Sequence, residues 1–180
     1  MKTLQPLTIA NAPEGSKSTL ESIQKGFGFI PNLMATFANS PAVLNGYMAM
    51  DHAWEQSSLS PTDRQLILLT VSVENSCKYC TAAHSTILNA MMKVDPKIVK
   101  AIRSKSSIGD AKKDALVAVV RELVSERGRI SEATQKRFED QGYTSVQLME
   151  VLIGLALKTI SNYLDHFNPT EIDPAFKDHA

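Results

Sequence analysis

The sequence has few of the features that mark several common functional classes. It contains only two cysteines, and its 19 lysines and arginines are balanced by 19 aspartates and glutamates. Two cysteines in a chain of this length cannot form the disulfide framework of a small secreted protein. The scattered, balanced charges do not make the concentrated basic face that binds a nucleic-acid backbone. We therefore predict no nucleic-acid partner.

Long apolar runs and phosphate-binding loops are also missing. No segment approaches the roughly 20 apolar residues of a membrane-spanning helix. Residues 1–10 carry a single lysine and no apolar stretch of signal-peptide length. The pair Gly26 and Gly28 is followed by Pro31 and lacks the third glycine and the preceding strand of a dinucleotide-binding loop. These absences predict a cytoplasmic protein with no membrane partner and no nucleotide cofactor.

Helix-start signals recur along the chain and predict an all-α fold. Ser40, Ser60 and Asp95 are each followed at once by proline, which is the pattern of a capped helix with proline in its first turn. The run Leu66–Val73, taken alone, is also compatible with a buried strand. The preceding cap favours a helix, and so does the absence of alternating strands elsewhere.

The chain length is typical of one domain. We predict a single compact multi-helix domain over residues 1–180. The prolines and turn residues near the N-terminus predict an extended arm at residues 1–15, of the kind that often packs on a neighbouring subunit. After Asn168 and Pro169, residues 168–180 are predicted to form a loop-like C-terminal tail.

The candidate active site gathers both cysteines and one of four histidines within eight residues. Cys77 and Cys80 are predicted at the N-terminus of a helix, where unpaired N–H groups and the helix dipole favour thiolates. His84 lies one turn beyond Cys80 and can accept its proton, as expected of a nucleophile paired with a base. Glu74, near the end of the preceding helix, is a candidate to orient that histidine.

This arrangement predicts redox chemistry. A thiolate that attacks a peroxide becomes a sulfenic acid, which a thiol one turn away converts to a disulfide. The residues alone leave open which cysteine attacks, because the dipole favours Cys77 and the adjacent base favours Cys80. A closed zinc site needs a fourth ligand. The remaining histidines are distant in sequence, at His52, His166 and His179. We therefore predict no metal.

The segment from Ser60 to Asn89, with its CxYCxxAH core, resembles the carboxymuconolactone decarboxylase and alkylhydroperoxidase D superfamily, in the peroxidase-like branch that carries a CxxC pair. The corner 27–32 and the pair Ser40 and Pro41 resemble the upstream segment of that branch, so the match spans roughly residues 25 to 90.

The resemblance implies an all-helical homo-oligomer, a trimer or a hexamer, that reduces hydroperoxides without metal or flavin. It implies that Cys80 attacks, that Cys77 resolves, and that His84 and a glutamate relay protons. A lipoylated protein or another dithiol is the implied reductant.

The sequence departs from the family at the relay glutamate. That residue lies twelve positions before the first cysteine of the motif, where this chain has Gln65, which cannot exchange a proton at neutral pH. Glu74 is the available substitute and is predicted to complete the relay. Two alternatives stay open: a redox-sensing oligomer subunit without turnover, and an acid–base enzyme of the decarboxylase type that uses His84 and Glu74.

Overall fold

The protein is all-α, as predicted. The computed structural model describes residues 3–180, and within that range it contains nine α-helices and no strand. A π-helical turn, Ile87–Met91, continues α5, and a 3₁₀ helix, Pro174–His179, lies near the C-terminus. The α-helices are α1 Glu14–Phe27, α2 Asn32–Phe37, α3 Pro41–Glu55, α4 Pro61–Glu74, α5 Lys78–Thr86, α6 Pro96–Arg103, α7 Ala111–Ser125, α8 Glu132–Asp140 and α9 Ser145–Phe167.

The helix starts follow from local capping. The Ser40 hydroxyl accepts a hydrogen bond from the Val43 amide at 3.4 Å, and the Ser60 hydroxyl accepts one from the Asp63 amide at 3.1 Å. Each such cap satisfies an otherwise unpaired N–H group and stabilises its helix by about 1 kcal/mol. These starts are therefore set by a few adjacent residues.

Helix α4 lies at the centre of the fold. It packs against α5, α7 and α9, and the seven consecutive residues 66–72 are all buried. A helix that is surrounded on every side loses its amphipathic pattern and becomes apolar all round. This burial explains why the run that begins at Leu66 resembles a strand in the sequence.

Helix α9 is the longest helix and approaches α3 and α4 closely at Gly154. A Cβ atom at Gly154 would lie 2.5 Å from the Trp54 ring and 2.8 Å from Ile67, so a glycine is required at this crossing. Among residues 3–180 no single helix is long and apolar enough to cross a membrane. Only α8 and α9 taken together, with a 112° bend between them, have the length and composition to do so.

The N-terminal arm packs against its own chain. The Leu7 amide donates to the Ala35 carbonyl at 2.9 Å, and the Leu4 amide donates to Asn168 Oδ1 at 2.8 Å. The arm is shorter than the predicted residues 1–15, because α1 already begins at Glu14. Its first two residues lie outside the described residues.

The C-terminal tail is only in part the loop that was predicted. Its 3₁₀ helix packs against α5 and buries Phe176, whose ring meets the Tyr79 ring edge-on at 6.1 Å between centroids. The Tyr79 hydroxyl donates to Asp173 at 2.6 Å. The prediction of a loop fits residues 168–173, which form no helix, and is wrong for residues 174–179, because contacts with residues nearly a hundred positions earlier order them as a helix.

Candidate active site

Both cysteines lie at the N-terminus of α5, as predicted. Cys77 is the N-cap residue, and its Sγ accepts a hydrogen bond from the Cys80 amide at 3.3 Å. Ser76 adopts a left-handed conformation, with φ of 57°, and so turns the chain from α4 into α5. Both cysteines are free thiols and both are buried. The turn between two helices therefore places two thiols where backbone N–H groups favour an anion.

His84 is held by two side chains from other helices. Its Nδ1 lies 3.0 Å from Gln65 Oε1, and its Nε2 lies 2.9 Å from the Lys158 Nζ. An ammonium group only donates hydrogen bonds, so Nε2 is the acceptor and Nδ1 carries the proton that Gln65 accepts. Burial and the charge of Lys158 lower the pKa of His84 well below its usual value. His84 is therefore neutral.

Lys158 is the first of two site residues that the sequence analysis missed. It lies on α9, is 1% exposed, and faces the cavity that also contains Cys80. Burial alone would lower its pKa, but the nearby Cys80 sulfur raises it and keeps the amine charged. One sequence signal was available, because Lys158 is the only charged residue between Val151 and Leu164, in the middle of an apolar helix. A lone charge in such a segment favours a functional interpretation.

The two thiols differ strongly in acidity. The hydrogen bond from Cys77, supported by the charge of Lys158, lowers the pKa of Cys80 to about 6 in spite of its burial. The same hydrogen bond raises the pKa of Cys77, and burial and the charges of Cys80 and Asp165 raise it further. The pair shares one proton, and that proton resides on Cys77. Cys80 is thus the thiolate.

Asp165 is a second residue that the sequence analysis did not identify. The Cys77 Sγ donates to Asp165 Oδ2 at 3.3 Å, while Oδ1 of the same carboxylate accepts from the Thr170 amide at 3.0 Å. Asp165 follows Lys158 by seven positions, which is about two helical turns. The same face of α9 therefore presents a cation to one cysteine and an anion to the other.

The predicted contact between Glu74 and His84 is wrong. The Glu74 carboxylate pairs with Lys105 at 2.7 Å and with Arg121 at 3.2 Å. Gln65 and Glu74 are nine positions apart on α4, which is two and a half turns, so they lie on opposite faces of the helix. Gln65, where the resemblance implies a relay glutamate, is the residue that contacts His84. A catalytic role for Glu74 stays a prediction.

The route from His84 to Cys80 also differs from the predicted one. His84 lies one turn beyond Cys80, as the spacing predicts, but both of its ring nitrogens are occupied by Gln65 and Lys158. Neither ring nitrogen is therefore free to contact the Cys80 sulfur, whereas Lys158 contacts His84 and its charge acts on Cys80. Within residues 3–180, no cluster of three or more His, Cys, Asp and Glu side chains has the arrangement of a metal site.

A small cavity of about 120 Å³ gives access to the reactive sulfur. Its lining includes Cys80, His84 and Lys158, and it adjoins a cleft of about 540 Å³ that shares part of its lining, including Asp51 and Gln65. The rest of the lining is largely apolar: Phe27, Leu33, Met34, Met48, Ile87 and Phe176. An apolar cavity with a few polar groups at one end is typical of a site for a small organic ligand.

Several solved structures share this fold over nearly the whole chain. A peroxidase-related protein from Ralstonia eutropha JMP134 superimposes with a TM-score of 0.84 at 19% identity, covering 98% of this chain and 96% of that one. One from Silicibacter sp. TM1040 gives a TM-score of 0.82 at 20% identity, covering 97% and 93%. A variant of the debrominase Bmp8 in complex with 2,3,4-tribromopyrrole gives 0.82 at 15% identity, covering 99% and 96%.

These likenesses show that the chain has the fold of the alkylhydroperoxidase D-like helical proteins. Residues 41–125 match the model of the carboxymuconolactone decarboxylase family. No curated protein sequence matches the chain significantly. Residues 41–125 are thus similar to that family, and the chain as a whole shares the fold of the alkylhydroperoxidase D-like proteins. The matched range contains the CxxC pair and His84 but ends before α9, and so before Lys158 and Asp165.

Proposed function

We propose that this protein is a thiol peroxidase that reduces small organic hydroperoxides to alcohols. The observation that carries the proposal is the unequal thiol pair. Cys80 has a pKa lowered to about 6 and lines the cavity, while Cys77 lies one turn away and holds the shared proton. A thiolate nucleophile beside a protonated resolving thiol is what a two-cysteine peroxidase requires.

The first step uses Cys80 and Lys158. The Cys80 thiolate attacks the terminal oxygen of the hydroperoxide, the O–O bond breaks, and Cys80 becomes a sulfenic acid. The departing alkoxide takes a proton from the Lys158 ammonium and leaves as the alcohol. Lys158 thus stabilises the thiolate before the reaction and the alkoxide during it. His84, neutral and bonded to Gln65, orients the amine.

The second step forms a disulfide, which a dithiol then reduces. Cys77 attacks the Cys80 sulfenic acid, and water is released. The reductant attacks Cys77, because Cys80 is the more acidic thiol and so the better leaving group. The dithiol, for which a lipoylated protein is the proposed source, returns one proton to Cys77 and one to Lys158. Both cysteines and Lys158 are then back in their starting oxidation and protonation states.

The oligomeric state is part of the proposal. Several large apolar side chains of α9 are exposed, including Met149 at 62%, Tyr163 at 56% and Phe167 at 70%. Patches of this kind mark protein–protein contacts, and we propose that they contribute to a homo-oligomer. Size-exclusion chromatography with light scattering should give a trimer or a hexamer. An oligomer that changes size between reduced and oxidised states without turnover would instead favour the redox-sensing function.

The test of the peroxidase function is a panel of hydroperoxides with a dithiol reductant. Wild type should turn over, and Cys80→Ser should be inactive because the nucleophile is lost. Cys77→Ser should consume one peroxide per site and then stall as a sulfenic or more oxidised acid, which mass spectrometry detects as added oxygen. Full activity in Cys80→Ser would refute the proposal. Activity that survives loss of both cysteines would identify an acid–base enzyme.

Reductive debromination is a second candidate, favoured by the fold shared with the debrominase Bmp8. The Cys80 thiolate would attack the bromine of a bromopyrrole, Lys158 would protonate the carbanion, and Cys77 would displace bromide to form the disulfide. The same two cysteines then supply the two electrons. Bromide release from 2,3,4-tribromopyrrole, in preference to peroxide turnover, would assign this function.

A further inference from the structure

The thiol proton of Cys77 lies between two acceptors. The Cys77 Sγ donates to Asp165 Oδ2 at 3.3 Å, and the neighbouring Cys80 sulfur competes for the same proton, which lowers the pKa of Cys80. One S–H group can serve only one of these acceptors well at a time. The location of this proton therefore depends on the charge of Cys80.

Asp165 is built into the fold rather than free on the surface. Its Oδ1 accepts from the Thr170 amide at 3.0 Å, beyond the end of α9, and this bond aims Oδ2 at the sulfur. The residue is half-buried, so solvent also reaches the carboxylate. A fixed carboxylate with access to solvent and in contact with a thiol has the geometry of a general base.

We infer that Asp165 is the catalytic base of the disulfide-forming step, accepting the Cys77 proton as Cys77 attacks the oxidised Cys80 sulfur. This inference rests on the proposed function and adds a residue to it. Neither the CxxC motif nor the family match over residues 41–125 includes Asp165.

Oxidation of Cys80 would direct the proton to Asp165. While Cys80 is a thiolate, its negative charge competes for the Cys77 S–H group. Once Cys80 is a sulfenic acid that charge is gone, and Asp165 remains as the anionic acceptor. Cys77 therefore stays protonated during peroxide attack and loses its proton to Asp165 only when it must act as the nucleophile of the next step.

The step balances in atoms and charge. Asp165 takes the proton, the Cys77 sulfur forms a bond to the Cys80 sulfur, and the S–O bond of the sulfenic acid breaks. The hydroxide that leaves is neutralised by the proton that Asp165 carries, passed through solvent, so that water is released and the carboxylate is regenerated. No further oxidant or reductant is required.

The experiment separates the two chemical steps in Asp165→Asn. Peroxide consumption in a single turnover measures the Cys80 step, and mass spectrometry after rapid quenching with an alkylating agent measures disulfide closure. We expect the first rate to stay within about twofold and the second to fall about a hundredfold, with dimedone-reactive sulfenic acid accumulating. Glu171→Gln, which removes an exposed carboxylate from the neighbouring tail, is the matched control and should leave both rates unchanged.

A second assay tests the inference without peroxide. Methyl methanethiosulfonate converts Cys80 to a small methyl disulfide, and Cys77 then displaces methanethiol in a step that needs the same base. Asp165→Asn should slow this displacement, and Asp165→Glu, which keeps the carboxylate, should recover part of the rate. Closure at the wild-type rate in both Asp165 variants would overturn the inference. Failure of wild type to form sulfenic acid with any peroxide would refute the proposed function alone, because the methyl disulfide assay still reports on Asp165.

Discussion

The two ends of the CxxC pair have opposite surroundings. At Cys80 the neighbouring charge is the ammonium of Lys158, and at Cys77 it is the carboxylate of Asp165. Both charges come from α9, about two turns apart, and neither belongs to the motif. The helix N-terminus acts on both cysteines, since Cys77 caps α5 and Cys80 lies in its first turn. The opposite charges that face the two cysteines therefore come from α9.

Removing the ammonium group of Lys158 should have the largest effect on the reactivity of Cys80. In Lys158→Met the thiol pKa of Cys80 should rise from about 6 toward the ordinary value of 9.0. In wild type the alkylation rate should rise as the pH increases through about 6 and then level off, because only the thiolate reacts. In the variant this rise should move to higher pH, and peroxide reactivity at neutral pH should fall about a hundredfold.

The pH dependence of Cys80 alkylation, followed by mass spectrometry, checks this prediction. Lys78→Met is the matched control, since Lys78 is an exposed lysine in the first turn of α5, the helix that contains Cys80. An unchanged midpoint in Lys158→Met would show that Lys158 does not set the difference between the two cysteines.

A carboxylate in place of Gln65 should have an intermediate effect. In Gln65→Glu the new negative charge would face the Nδ1–H of His84, and an opposite charge at that distance raises a histidine pKa by about 1–3 units. His84 could then supply protons to Lys158, so kcat/KM should rise, by about tenfold at most.

Proton NMR titration of the His84 ring tests the pKa directly, with steady-state kinetics in parallel. Gln56→Glu, at an exposed position after α3, is the control for the added charge. A His84 ring that titrates as in wild type would contradict the assignment of Gln65 to the relay position.

Neutralising Glu74 should affect activity least. In Glu74→Gln the ion pairs with Lys105 and Arg121 are lost, which should lower the free energy of unfolding by about 1 kcal/mol. Peroxidase activity should stay within about twofold, because His84 and both sulfurs keep their partners. Urea denaturation and turnover rates, compared with those of the exposed-site variant Glu126→Gln, check both expectations. A loss of a hundredfold would restore Glu74 to the proton relay.

The positions of the helices and of the cysteines could be predicted because they depend on neighbours in sequence. Ser40 and Ser60 cap their helices through amides three positions later. The turn at Asn75 and Ser76 brings Cys77 to the start of α5. Such bonds form within one helical turn, so the residues that make them can be read directly. The sequence by itself therefore determined the all-α fold and placed the CxxC at a helix N-terminus.

The residues that act on the cysteines were decided by tertiary structure. Lys158 meets His84 across 74 positions, and Asp165 meets Cys77 across 88. The face of α4 that points toward the site carries Gln65, whereas Glu74 lies on the opposite face. Contacts over such separations depend on how whole helices pack, which no local pattern encodes. The sequence set two thiols at a helix end, and the packing of α9 against α5 decided which charge each of them faces.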